Sequence, residues 1–215
     1  MKQLIRQNIY YYGTILLFIV LGGILLTTMH KADVTIWVNN QYSAVGDQFF
    51  LITNLGGTIG FSVLIIIAIW VLKGWRIALK ATICFVATAL VIQFLKYIVF
   101  PGELRPTLYF EGKHTLRLLE GVVQLKTESF PSGHTAAAFS IATFLALLFS
   151  GKQWHWLLLI AAASVGYARL YLSQHFITDV YTGMVLGVLI TTLVYYFYPT
   201  QKLKDNDKPG QAIHS

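Results

Sequence analysis

Residues 127–139 read TESFPSGHTAAAF, and the rest of the chain is read outward from this stretch. It closes the longest polar interval of a very apolar protein and leads into the apolar run Ser132–Phe149. Pro131 suits the first turn of a helix, where its missing N–H has no partner to lose. Ser132, Gly133 and His134 then offer backbone N–H groups at a helix N-terminus. Its partial positive charge makes such an end an anion site. Gly133 lets an anion come close to the backbone, and His134 exchanges a proton near neutral pH. A Pro-Ser-Gly turn is most often only a helix start, so its meaning depends on what else arrives beside it.

The composition sets the setting. Of 215 residues, 56% are hydrophobic and 12% charged, about half the charge of a soluble domain. The chain reads as a multi-spanning membrane protein. Its single cysteine, Cys84, lies in an apolar run, which argues against disulfides and Cys-rich metal sites. The net charge of +7 is spread thinly between apolar segments. That pattern fits membrane orientation and anionic lipid, not nucleic acid. The first residues look like a signal sequence, but the apolar run is too long and no small-residue cleavage site follows, so it reads as a retained anchor.

A spanning helix needs about 20 mostly apolar residues. Six runs qualify as candidates: Ile9–Thr28, Gly57–Leu72, Leu79–Phe100, Ser132–Phe149, Trp154–Leu172 and Phe176–Tyr198. Residues 30–55 mix polar and apolar positions at helical spacing and read as one or two interfacial helices. The expected fold is therefore all-α, an integral membrane bundle of six transmembrane helices with short extracytoplasmic interfacial helices. Residues 1–200 form one membrane domain and 201–215 a polar cytoplasmic tail. Nine of the sixteen Lys and Arg residues fall on the side carrying both termini, which is expected to be cytoplasmic. Tyr10–Tyr12 and Tyr195–Tyr198 sit where an aromatic belt would lie on that side. Gly183 and Gly187, four apart in the last run, read as a close-packing surface within one bundle rather than a dimer contact.

Helix reversal brings three clusters to the outer face. The first is Lys96 with Arg105-Pro106. The second is Pro131–His134. The third is Arg169 with His175 and Asp179. Asp179 lies inside an apolar run, where an unpaired carboxylate is costly and marks function. His175 is four residues earlier, on the same helical face. A carboxylate behind a histidine fixes its tautomer and keeps the far nitrogen nucleophilic. A purely structural His–Asp pair is the plain alternative.

Arg169-LYLSQ-His175-FIT-Asp179, FPSGHT and Lys96…Arg105-Pro106, in this order, resemble the motifs of the type 2 phosphatidic acid phosphatase family. This is a group of membrane lipid phosphatases related to vanadium haloperoxidases. Within it the chain is similar to the bacterial members that act on phosphatidylglycerophosphate. The motifs cover Lys96 to Asp179, and the six-run layout extends the likeness to most of the chain. There are two departures. Eight residues, YIVFPGEL, separate Lys96 from Arg105 where the family usually has six, and Pro101-Gly102 could bulge out the excess. Ala168 stands where the family usually has serine before Arg169.

The resemblance implies roles. His175 attacks phosphorus and forms a phosphohistidine. Asp179 orients His175. His134 protonates the departing lipid oxygen and then activates water. Lys96, Arg105, Arg169, Ser132 and Gly133 hold the phosphoryl oxygens. Phosphoryl transfer is mostly positioning and charge stabilisation, which cations and a helix N-terminus can supply without a metal or other cofactor. The expected reaction is hydrolysis of phosphatidylglycerophosphate in a bacterial cell membrane, at an extracytoplasmic site. The partners are the lipid phosphate and the bilayer, with no nucleic acid and no obligatory protein partner. The sequence leaves open undecaprenyl diphosphate as substrate and a non-catalytic lipid-binding or flipping role. A Zn²⁺ site of His134, His175 and Asp179 is disfavoured by the three nearby cations. A Ser132 protease lacks the expected Gly-x-Ser-Gly context, and a haloperoxidase would need vanadate on His175.

Overall fold

In hydrocarbon every backbone N–H and C=O must be satisfied within the segment, so apolar runs of this length fold as helices. The computed structural model describes residues 1–149 and 155–198, and among these every regular element is helical. In chain order these are α1 (Lys2–Gln7), α2 (Ile9–Thr28), α3 (Lys31–Asn39), α4 (Ala44–Asn54), α5 (Ile59–Lys73), α6 (Trp75–Phe94), α7 (Pro106–Tyr109), α8 (Gly133–Leu148), α9 (His155–Tyr171) and α10 (Ile177–Phe197). A 3₁₀ turn, Leu55–Gly57, joins α4 to α5, and a π-helical turn, Leu95–Val99, extends α6.

All six apolar runs are helical where described, but their lengths differ. Among the described residues only α2, α6 with its π turn, and α10 are long and apolar enough to cross a membrane. The count rises to four when α4 and α5, bent by 61° at their junction, are taken as one broken span. Helix α8 has 16 residues, and α9 has 17 among the described residues. At 1.5 Å per residue α8 falls short of the ~30 Å hydrocarbon core. The expected six spans are thus not reached by length and composition alone. The segment 30–55 forms two helices, α3 and α4, and α4 continues into α5 through an elbow instead of lying apart from it. The tail 201–215, Lys152 and the expected helix start at Trp154 lie outside the described residues.

Helix α8 is the centre of the bundle. Its sequence, GHTAAAFSIATFLALL, is rich in small residues, and most of its positions are buried. Small side chains let neighbouring backbones approach closely. A Cβ on Gly183 would come within 2.5 Å of the Ser132 carbonyl oxygen, and one on Gly187 within 2.4 Å of that of Ala136. The glycine pair is therefore consumed inside the chain, packing α10 on α8. Hydroxyl pairs lock the same core: Ser140–Thr191 at 2.6 Å, Tyr11–Thr143 at 2.7 Å and Tyr12–Thr192 at 2.8 Å. Ala138, Phe139, Ala142, Leu159, Val165, Met184 and Val188 fill the space between α8, α9 and α10.

Candidate active site

The third motif is shaped by the α9–α10 reversal. Ser173 adopts a left-handed conformation (φ 54°). The Gln174 and His175 N–H groups turn back to the Arg169 carbonyl at 2.9 and 3.2 Å. This sets His175 just before α10, one helical turn ahead of Asp179. Asp179 Oδ2 accepts hydrogen bonds from Ser129 Oγ (2.5 Å), the Phe176 N–H (3.0 Å) and His175 Nδ1 (3.3 Å). Oδ1 accepts from Thr178 Oγ1 at 3.0 Å. With Nδ1 donating to the carboxylate, the lone pair of the neutral ring lies on Nε2. Burial pushes the His175 imidazole well below its ordinary value, to about 3, against the opposing pull of its bond to Asp179. The ring is 2% exposed and stays neutral.

Arg105 packs against the other side of that ring, with Nη1 3.4 Å from Nε2. Its Nε donates to the Thr127 carbonyl, Nη2 to that of Glu128 and Nη1 to that of Gln174. The side chain thereby ties the first motif to the second and third, and much of its donor capacity is spent on backbone. Lys96 lies in the π turn and is 8% exposed. It is within electrostatic reach of Arg105, Arg169 and Asp179. The π turn closes with the Phe100 N–H on the Leu95 carbonyl at 2.8 Å, and Pro101-Gly102 turns the chain with Gly102 at φ 76°. π bulges of this kind are concentrated at functional sites.

The stretch 127–139 enters differently from the expectation. Helix α8 starts at Gly133 with Ser132 as its N-cap, so Pro131 lies before the helix and not in its first turn. The Ser132 N–H is held by the Asp179 carbonyl at 3.0 Å, which fixes the helix start against α10. Ser132 Oγ accepts from Thr135 Oγ1 at 3.0 Å and from the Thr135 N–H at 3.5 Å, which leaves its own O–H to donate. The Gly133 and His134 N–H groups head the helix, where no intrahelical acceptor exists. A Cβ on Gly133 would meet only Ile92 Cγ2, at an ordinary 3.7 Å. Packing therefore does not demand glycine there, whereas close approach of a ligand would. His134 is half-buried, and its backbone lies against Gly57, where a Cβ would come within 2.6 Å of the His134 Cβ.

Arg169 completes the group. Its Nη1 donates to Asn54 Oδ1 at 2.5 Å and its Nη2 reaches Gln174 Oε1 at 3.4 Å. Its Nε is buried with no hydrogen-bond partner among the described residues. Ser129, Gln174 and Asn54 escaped the sequence reading. Ser129 and Gln174 sit inside or beside quoted motifs and could have been found there. Asn54 lies 115 positions from its partner, at the end of an apolar helix, and carries no local signal. Among the described residues no three His, Cys, Asp or Glu side chains are grouped so that they could hold a metal ion.

The chain belongs to the PAP2 superfamily, whose family profile matches residues 77–203. It is 31% identical over 137 residues to the undecaprenyl-diphosphatase BcrC of Bacillus subtilis, covering 62% of this chain and 66% of that one. It is 44% identical over 78 residues to phosphatidylglycerophosphatase B of the same organism, covering 32% of this chain and 38% of that one. The chain thus spans less than two thirds of the length of these curated relatives. Among solved structures it resembles LpxE of Aquifex aeolicus, with a TM-score of 0.62 and 26% identity over 75% of this chain and 92% of that one. It also shares its fold with a PAP2-type phosphatidylglycerolphosphate phosphatase from Bacillus subtilis, at a TM-score of 0.62 and 23% identity over 87% of this chain and 94% of that one.

Proposed function

We propose that this protein is a metal-independent membrane lipid phosphatase that hydrolyses phosphatidylglycerophosphate through a phosphohistidine. The observation that carries the reading is the neutral, buried His175. Its Nδ1 is held by Asp179, its Nε2 lies 3.4 Å from Arg105 Nη1, and Arg169 is within electrostatic reach of the ring. In the first step Nε2 bonds to phosphorus, the P–O bond to the lipid breaks, and His134 gives the leaving oxygen its proton. In the second step His134 takes a proton from water, the water oxygen bonds to phosphorus, the P–N bond breaks and phosphate leaves. Lys96, Arg105, Arg169, the Ser132 hydroxyl and the N–H groups of Gly133 and His134 hold the phosphoryl oxygens through both steps. Such preorganised charge is usually the largest contribution in reactions of this kind.

The site is proposed to face the extracytoplasmic side of a bacterial membrane, with both termini cytoplasmic. Helices α8 and α9 would complete a six-span bundle in a locally thinned or snorkelled bilayer, as short hydrophobic segments do. A second reading, undecaprenyl diphosphate as substrate, is favoured by the longer match to BcrC.

Phosphate release by the purified full-length protein decides between them. The substrates are phosphatidylglycerophosphate, undecaprenyl diphosphate, phosphatidate and lysophosphatidate, each with and without excess EDTA. Release is expected to survive EDTA, and the highest kcat/KM names the lipid. His175→Ala should abolish turnover. Normal turnover by that variant would end the mechanism, and loss in EDTA with recovery on added Zn²⁺ or Mg²⁺ would end metal independence.

A further inference from the structure

The three motifs do not supply every group that touches the site. The α4–α5 elbow, residues 54–57, reaches two site residues from a different part of the chain. Asn54, the last residue of α4, takes a hydrogen bond from Arg169 Nη1, and Gly57 lies against His134. Arg169 is 6% exposed. Its terminal nitrogens are both engaged, one by Asn54 and one by Gln174, while Nε has no partner among the described residues. A buried donor left empty is destabilising, so such a group is expected to have a use. A guanidinium is planar, so fixing Nη1 and Nη2 also fixes the direction of the Nε–H. The two clamps are unequal. The Asn54 contact is 2.5 Å and the Gln174 contact 3.4 Å, and Gln174 is itself held by Gln124 Oε1 at 2.5 Å.

We propose that Asn54 is a positioning residue for phosphoryl transfer: it turns the Arg169 guanidinium so that the vacant Nε–H points at a phosphoryl oxygen. This rests on the phosphatase reading above. It assigns to the elbow a function that its apolar sequence hides. Asn54 stands at the point where α4 ends and the bent 3₁₀ turn begins, with its side-chain Oδ1 on Arg169. The competing account is a plain structural tie between α4 and α9. Loss of a tie would lower stability and leave the grip on a bound phosphoryl group unchanged. A positioning role instead requires that the effect of Asn54 pass through the fork of Arg169.

The test is a double-mutant cycle on the full-length protein in detergent: wild type, Asn54→Leu, Arg169→Lys and the double variant. Leucine keeps the shape of asparagine and removes the acceptor. Lysine keeps the charge at 169 and has no fork to orient. Two quantities are read, kcat/KM for lipid phosphate and the rise in Tm produced by orthovanadate, which mimics five-coordinate phosphorus. Asn54→Leu is expected to lower kcat/KM by about ten- to a hundredfold, the range for losing a hydrogen bond to a charged group. It should shrink the vanadate-induced Tm rise, over and above the fall in Tm without vanadate that comes from leaving the buried Arg169 Nη1 without its acceptor. In the Arg169→Lys background it should have no further effect. Additive losses in the two backgrounds, or wild-type kinetics in Asn54→Leu, would overturn the proposal. If Asn54→Leu is not monodisperse, Asn54→Ala is carried through the same cycle. Failure of both to fold would assign the bond to structure and overturn it as well. A wild-type protein that binds vanadate but releases no phosphate from any lipid would count against the phosphatase reading instead, and the vanadate cycle would still decide the role of Asn54.

Discussion

Helices α8 and α10 meet along bare backbone. Gly183 and Gly187 leave no room for a Cβ against the Ser132 and Ala136 carbonyls, and the Ser132 N–H bonds to the Asp179 carbonyl. The opposite wall is tied by side chains. Arg117 forms a two-pronged ion pair with Asp47, at 2.9 and 2.5 Å, and Tyr171 also donates to Asp47 at 2.7 Å. Asn39 brackets the Arg117 backbone and bonds to Ser173 Oγ. Asn54 reaches Arg169. The carboxylate and the helix N-terminus thus stand on a rigid seam, while one of the charges proposed to grip the substrate hangs from polar tethers. Rigid packing suits groups that must hold sub-ångström geometry, and side-chain tethers suit groups that must adjust to a ligand.

The largest effect separating the two walls should come from Asp179→Asn. Asparagine keeps the shape but cannot hold His175 in its nucleophilic tautomer in the same way. The loss in kcat is expected to be about 10⁴-fold, as when a catalytic histidine loses its orienting carboxylate. Single-turnover release of the lipid alcohol measures it, and a loss under about tenfold would move Asp179 out of this role.

A smaller effect compares the walls in stability. Gly187→Val forces a side chain into the Ala136 carbonyl, and overpacking of this kind costs about 1–3 kcal/mol. A fall in Tm of several degrees is expected, at roughly 2–4 °C per kcal/mol for a chain of this size. Arg117→Ala removes a partly exposed ion pair and should move Tm less, while raising KM. Equal Tm shifts in the two variants would erase the distinction between seam and tether.

The smallest expected effect is in the pH profile. The His175 value lies below the ordinary 6.5 because burial disfavours its charged form. The nucleophile must be unprotonated, so its acid limb in kcat/KM falls below pH 6.5, and the rate holds as pH drops through that value. The substrate's own phosphate ionisation is separated by using a diester-like analogue for comparison. An acid limb assigned to His175 at or above 6.5 would mean that the ring is wetter than its 2% exposure implies.

Much of this was legible in the chain. The i, i+4 spacing of His175 and Asp179 announces their pairing, and helix reversal places the three motifs at one end of the bundle. The elbow was not legible, because an apolar run broken by Leu55–Gly57 shows neither its 61° bend nor the partner of Asn54. The helix start was misplaced by two residues because Pro131 fits a first turn equally well by its own geometry. Ser132 took the cap instead because its N–H is already held by Asp179. Six spans were read from hydropathy, and hydropathy does not report where α8 stops short.

The π turn at Leu95–Val99 has one more consequence. A π bulge adds a residue to a helix, and each residue of an α-helix advances the side-chain direction by about 100°. Deleting a residue from the spacer between Lys96 and Arg105 would bring its length closer to the family's usual count. Within the turn itself, closing the π bulge to ordinary α geometry would rotate Lys96 relative to the preceding turns of α6, by up to about 100° for one residue. The π turn therefore sets the direction in which Lys96 leaves α6, while Arg105 is placed separately, beyond the Pro101-Gly102 turn.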